Sequence, residues 1–326
     1  MKALPLLPLL VIAAFLPASA SSENEKTRIF VPVLPYEWLF ERIGGDWIEV
    51  DAIVGEGDDA HDYSPSPRQL GQISKANLLF SGELGFEANF FVKVGDGKTA
   101  PVALSLLEGL DLLEGSCEVC ESEHHEHAEH HEHDEEAEEK PAAAKEDHDH
   151  HEHDHAHHDH DHGELKDPHV WLSPRMLKQQ AERIAVILKE HTSPEASKAI
   201  DQNLATLLEE LAEIDAELTE TLAPLKGQKF YVYHGAFAYF AEAYGLEQKA
   251  IEVSGRSPSP KQLAEIAKQA KEDDVHLIFV QPQFDDSSAR SLAETIDGTV
   301  ETLDPLEKDV IANLRTIAAA IRSSRS

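Results

Sequence analysis

The chain has 326 residues, with 62 Asp and Glu against 28 Lys and Arg, for a formal net charge of −34. So acidic a surface excludes nucleic acid as a partner, because binding there depends on Lys and Arg neutralising phosphates. No apolar run approaches the roughly 20 residues a membrane-spanning helix needs.

The N-terminus reads as a secretory signal over residues 1–20. Met1-Lys2 is a short basic start, Leu4–Leu16 an apolar run, and Pro17–Ala20 a small-residue cleavage site ending near Ala20. The mature chain is expected to be exported and soluble, and with no cysteine after the signal a lipid anchor has no attachment point. Strand and helix patterns then alternate. Arg28–Val33, Ile48–Val54, Leu78–Ser81 and Val102–Leu106 read as strands. Tyr36–Ile43, Ser66–Ala76 and Leu84–Val92 read as helices. This alternation predicts βα units and a mostly parallel sheet.

Residues 121–166 interrupt the pattern. Fifteen of the 20 histidines lie here, interleaved with Asp and Glu: His124, His125, His127, His130, His131, His133, His148, His150, His151, His153, His155, His157, His158, His160 and His162. The stretch has too little apolar surface to offset the entropy of ordering it, so it is expected to be a disordered loop. Its imidazoles and carboxylates suit zinc and related divalent ions, as a secondary, low-affinity set of ligands. His151-Glu-His-Asp-His155 satisfies the zinc-protease pattern by composition alone, since that motif needs an ordered helix. Cys117 and Cys120 stand at the mouth of the loop; a disulfide, extra metal ligands and no essential role are all compatible with them.

Beyond the loop, a helix is expected from Pro174 to Glu190 and a long one from Pro194 to Leu222, the latter with Leu204, Leu207, Leu208, Leu211, Ile214 and Leu218 at helical spacing. Lys229–Tyr233, Ala250–Val253, His276–Val280 and Val300–Leu303 then read as strands. Ala236–Tyr244, Pro260–Glu272, Ser287–Ile296 and Lys308–Arg322 read as helices. The chain divides into an N-terminal α/β lobe (21–173), a helical region with a linker helix (174–223) and a C-terminal α/β lobe (224–326). In such sheets, ligand sites lie at the carboxyl ends of the strands.

Five histidines remain. His191 reads as a charge at a helix C-terminus and His276 as a strand-edge residue. His61, His169 and His234 each stand in a turn beside a strand-like run, two before the long helix and one after it, so a site using all three lies between the lobes. Taken singly, a histidine beside Tyr or Trp is more often structural than a ligand. Three in comparable turns, in a chain with a metal-rich loop, point to a tetrahedral zinc shell of three imidazoles and one oxygen ligand.

Three motifs carry a family resemblance: Gly-x-x-x-His-x-Tyr-x-Pro-x-Pro at Gly57–Pro67, Asp-Pro-His-x-Trp-Leu at 167–172, and His-x-x-Phe-x-Tyr-Phe at 234–240. With them the chain resembles the cluster A-I (cluster 9) solute-binding proteins of ABC transporters, and among these the ZnuA-like zinc binders. The resemblance implies two α/β lobes joined by one long rigid helix, with the metal in the cleft between them. It implies His61, His169 and His234 as ligands, with Asp304 or a solvent-derived ligand in fourth place. Glu56, Asp58, Asp59 and Glu301 compete with Asp304, whose Leu303-Asp-Pro context also suits a simple turn. Histidine rather than glutamate at position 234 favours zinc over manganese.

The function expected of such a chain is periplasmic capture of Zn2+ by a monomer that delivers it to a membrane permease with a cytoplasmic ATPase. No catalysis is expected, and acid below about pH 6 should release the metal, because only neutral imidazole ligates. The competing readings are a manganese-binding homologue, a periplasmic zinc buffer or chaperone, and an exported zinc hydrolase.

Overall fold

A computed structural model describes residues 26–87, 94, 100–115, 166–253 and 256–324. The signal segment, Cys117, Cys120, all fifteen loop histidines and most of the helix expected at Leu84–Val92 lie outside these residues. The first sheet contains β1 (Thr27–Val31), β2 (Ile48–Ala52), β3 (Leu78–Ser81) and β4 (Val102–Ser105) in the order β2-β1-β3-β4, every pair parallel. The second repeats the plan, with β5 (Lys229–Val232), β6 (Glu247–Ala250), β7 (Leu277–Val280) and β8 (Thr299–Thr302) in the order β6-β5-β7-β8. Central strands are runs of buried Ile, Leu, Val and Phe, as sheets covered on both faces require.

Helices α1 (Leu34–Gly44) and α2 (Pro67–Ile73) connect strands of the first lobe. In the second lobe α5 (Ala238–Tyr244), α6 (Pro260–Glu272) and α7 (Ser287–Thr295) do the same, and α8 (Val310–Ser323) closes the chain. Their starts are written locally: the Ser66 and Ser259 hydroxyls accept from the backbone N–H of Gln69 and Gln262, each with Pro in the first turn.

Between the lobes run α3 (Pro174–His191) and α4 (Ser197–Leu222). The 26 residues of α4 span about 39 Å at 1.5 Å per residue. Its buried face, Ile200, Leu207, Leu211, Ile214, Leu218 and Leu222, packs against α1 and α3 and against α8 of the second lobe. On its outer face Glu210, Asp215 and Glu217 each receive an arginine through both carboxylate oxygens, Arg42 from α1, Arg175 from α3 and Arg315 from α8. One apolar core runs from Ile29 in the first lobe through α3 and α4 to Phe240 and Ile321 in the second; a smaller one lies under α6 and α7.

Several inter-lobe bonds pin the cleft. The Tyr239 hydroxyl donates to the Asp167 carbonyl and accepts from the Leu113 N–H. Lys308 Nζ reaches Glu37 at 2.6 Å and Glu41 at 2.9 Å on α1. Glu114 and Lys166 pair antiparallel, and the Asp167 N–H bonds the Leu113 carbonyl at 3.0 Å.

The two-lobe α/β fold is the one expected, with local shifts. The strand placed at Ala250–Val253 begins at Glu247, because Gly245 takes a left-handed conformation (φ 69°) and turns the chain out of α5 directly into the sheet. Glu-Gln-Lys-Ala is polar because β6 is an edge strand. Val170–Leu172 forms a single 3-10 turn that carries Trp171 into the core. Among the described residues, no helix is long and apolar enough to cross a membrane.

Candidate metal centre

His61 follows β2, His234 follows β5, and His169 stands just ahead of α3, so three segments of the chain meet in the cleft at the carboxyl ends of the strands. One ligand atom from each of His61, His169 and His234 can be chosen so that all lie within 4.8 Å of one another. Ring centroids are 4.5 Å apart for His61 and His234, 5.3 Å for His169 and His234, and 6.4 Å for His61 and His169. His169 and His234 are buried, and the His61 side chain is 13 % exposed.

Each imidazole is backed by a carboxylate. His61 Nδ1 lies 2.9 Å from Asp59 Oδ1, His169 Nδ1 2.8 Å from Asp167 Oδ1, and His234 Nδ1 2.6 Å from Glu252 Oε1. With Nδ1 donating to the carboxylate, the tautomer is fixed and Nε2 is the atom that could hold a metal. The first two share one local device, Asp-x-His. The aspartate Oδ1 accepts both the ring N–H and the backbone N–H of the histidine two residues on, at 2.8 Å in His61 and 2.9 Å in His169.

His234 is held differently. Gln281, fully buried at the end of β7, accepts from the His234 N–H at 3.0 Å and donates to its carbonyl at 2.8 Å. Because β7 neighbours β5, this pair of bonds ties the two strand ends at the point where their loops diverge.

Burial pushes the His234 imidazole down from 6.5 to about 4, with help from His61 and His169, and against the pull of Glu252. That keeps the ring neutral and able to ligate well into acid. Burial raises Asp59, but the hydrogen bonds from the His61 side chain and backbone outweigh it and leave the carboxyl below its usual range.

Asp304 is not part of the three-histidine group. Its Oδ1 accepts from Gln283 Nε2 at 2.9 Å and from the Leu306 N–H at 2.8 Å, and its carbonyl accepts from Asn313. It makes the turn that the Leu303-Asp-Pro context also allowed. With Glu56 it lines a cavity of about 720 Å3 between the lobes. Asp59 backs His61, and Glu301 lies on the edge strand β8. His191 ends α3, and His276 pairs with exposed Asp274 at 3.3 Å.

Glu252 and Gln281 were missed in the sequence. The Asp two residues before each of two histidines was a readable signal; Glu252 and Gln281 had none, since they reach His234 only once β6 and β7 flank β5.

Two α/β lobes sharing a spine, with a convergent ligand set in the cleft, define the class of the extracytoplasmic solute-binding proteins, the cargo-binding and non-enzymatic components of transporters. Within it the chain belongs to the family described as zinc-uptake complex component A, periplasmic (ZnuA), whose model matches residues 29–323. It is 28 % identical over 295 residues to the high-affinity zinc uptake system protein ZnuA of Bacillus subtilis, covering 89 % of this chain and 81 % of that one. The fold matches a crystal structure of ZnuA with a TM-score of 0.75 and 30 % identity, over 93 % of this chain and all of the other. A zinc-bound deletion mutant of ZnuA gives 0.74 and 30 %, over 93 % and 99 %.

Proposed function

We propose that this protein captures Zn2+ outside the cytoplasmic membrane and hands it to an ABC permease driven by a cytoplasmic ATPase. The observation that carries the reading is the convergence of His61, His169 and His234 with a carboxylate on every Nδ1. Zinc sheds water as three Nε2 atoms replace it. The carboxylates raise the basicity of the rings and hold them in place before the ion arrives, so little ordering remains to be done on binding.

A solvent molecule takes the fourth position, with Asp304 serving the turn beside it. Imidazole at position 234, in place of a carboxylate oxygen, favours zinc over manganese. The cleft is a binding site rather than a catalytic one: Asp59, Asp167 and Glu252 are engaged on imidazole Nδ1 atoms, which supports their orienting the ligands over their activating a water. The protein acts as a monomer exported by the signal at residues 1–20, and the histidines of 121–166 form a separate, weaker store.

Calorimetric titration of zinc into the mature protein, with manganese as competitor, tests this. One tight site that manganese does not displace, lost in His61→Ala and in His234→Ala, is the expected result. Tight binding that survives both substitutions would move the function to the loop and end the cleft reading.

A further inference from the structure

The segment Gln281–Phe284, between β7 and α7, makes two separate contacts with the centre. Gln281 clamps the His234 backbone and Phe284 packs on the imidazoles of His234 and His61, while Gln283 holds Asp304 in the neighbouring turn. The Phe284 ring stacks on His234 at 5.0 Å between centroids and 26° between planes, and stands 5.7 Å from His61 at 48°. It comes from the second lobe and touches a histidine of the first, so it lies across the cleft. On another side Trp171 backs His169 at 5.2 Å, fully packed and fixed by its indole N–H on the Pro305 carbonyl at 2.8 Å. Phe284 differs in being only partly buried, seated on Tyr233 at 5.7 Å at the rim of the smaller core.

We propose that Phe284 is a specificity-determining wall of the metal centre, whose ring occupies the space where additional water ligands would stand. It thereby holds the coordination number at four and slows the exit of the ion. The inference rests on the reading that the three histidines hold the metal, and it adds a second source of selectivity. Zinc is satisfied by four ligands, whereas manganese and magnesium keep a larger, water-rich shell. An apolar ring packed on two of the three imidazoles penalises every water beyond the fourth ligand, and it shields the histidine–carboxylate pairs from solvent. Discrimination against manganese therefore does not depend on the imidazole of His234 alone.

The test uses the full mature chain with one equivalent of Co2+ as a spectroscopic probe, together with the rate of zinc release into excess chelator. The parent should show the intense visible bands of four-coordinate Co2+, abolished in His61→Ala. In Phe284→Ala the bands should weaken towards those of a higher coordination number. Zinc release should quicken and manganese should compete at lower concentration, each by about tenfold, the low end of what losing an outer-shell partner does. Phe284→Tyr keeps the ring and should behave as the parent.

An alanine variant with parent spectrum, release rate and manganese competition overturns the wall while leaving the three-histidine site intact, and so does a tyrosine variant as impaired as alanine. Parent bands that His61→Ala leaves unchanged would sink the three-histidine reading itself and the wall with it. If melting of the metal-free alanine variant shows that it does not fold, Phe284→Leu, which keeps the apolar seat on Tyr233, is read by the same criteria.

Discussion

The side chains that touch no metal decide how well the three histidines can hold one. Glu252 supports a ring that is 1 % exposed, so Glu252→Gln should weaken zinc affinity by roughly 10–100-fold, the usual cost of losing the orienting partner of a ligand. Asp304→Ala should cost less than about tenfold if solvent is the fourth ligand, because it then loses a turn and no metal bond. Competition against a chelator of known affinity separates the two. His234 also sets a pH dependence in the metal-free protein. Its folded value of about 4 lies below the ordinary 6.5, so the unfolded chain binds a proton that the folded chain refuses. Stability from this group is complete above 6.5 and falls as the pH drops towards 4, by about 3 kcal/mol in all. Denaturant unfolding at pH 7.0, 5.5 and 4.5, compared between parent and His234→Gln, checks the sign.

At the scale of elements, what was legible in the sequence was what is encoded locally. Ser66 and Ser259 before prolines mark helix starts, the apolar runs of β1, β3, β5 and β7 mark central strands, and each of three motifs places one histidine in a turn. The two Asp-x-His devices were present as letters, but both of their hydrogen bonds had to be seen in space, and Asp59 proved to back His61. Glu252 and Gln281 were not legible, because strand order decides their meaning: nothing local says that the ends of β6 and β7 flank the end of β5. The same dependence makes Gln281 a sensitive position. Gln281→Leu removes one bond to the His234 N–H and one to its carbonyl, which keeps the Ala236 N–H at 2.9 Å, at a cost of about 1–3 kcal/mol. Thermal melting of the metal-free variant should show that loss, and zinc affinity should fall with it.

Across the whole molecule, α4 and the shared core argue for limited motion. A core that continues from Ile29 to Ile321 has no seam at which the lobes could part widely. Zinc binding is expected to protect amides in 57–67 and 281–284 from hydrogen exchange, with little change along α4; widespread changes along α4 would contradict a fixed spine. The same continuity predicts that the lobes unfold together. Leu211→Ala, at a fully buried position of α4, should cost roughly 2–5 kcal/mol and shift one cooperative transition seen alike by circular dichroism and tryptophan fluorescence.

The antiparallel pair Glu114 and Lys166 has a further meaning for how such a protein can change. Leu113 and Glu114 are stitched beside Lys166 and Asp167, so the strand registers on either side are set without reference to the length of sequence between them. The pair works as a splice point: sequence can be inserted, lengthened, shortened or replaced there without renegotiating a single strand register. Lys166 also stands three residues ahead of His169, so the pair is tied in sequence to a histidine of the cleft. The length of sequence at that point and the geometry of the three-histidine cleft are thereby free to evolve at different speeds within one chain.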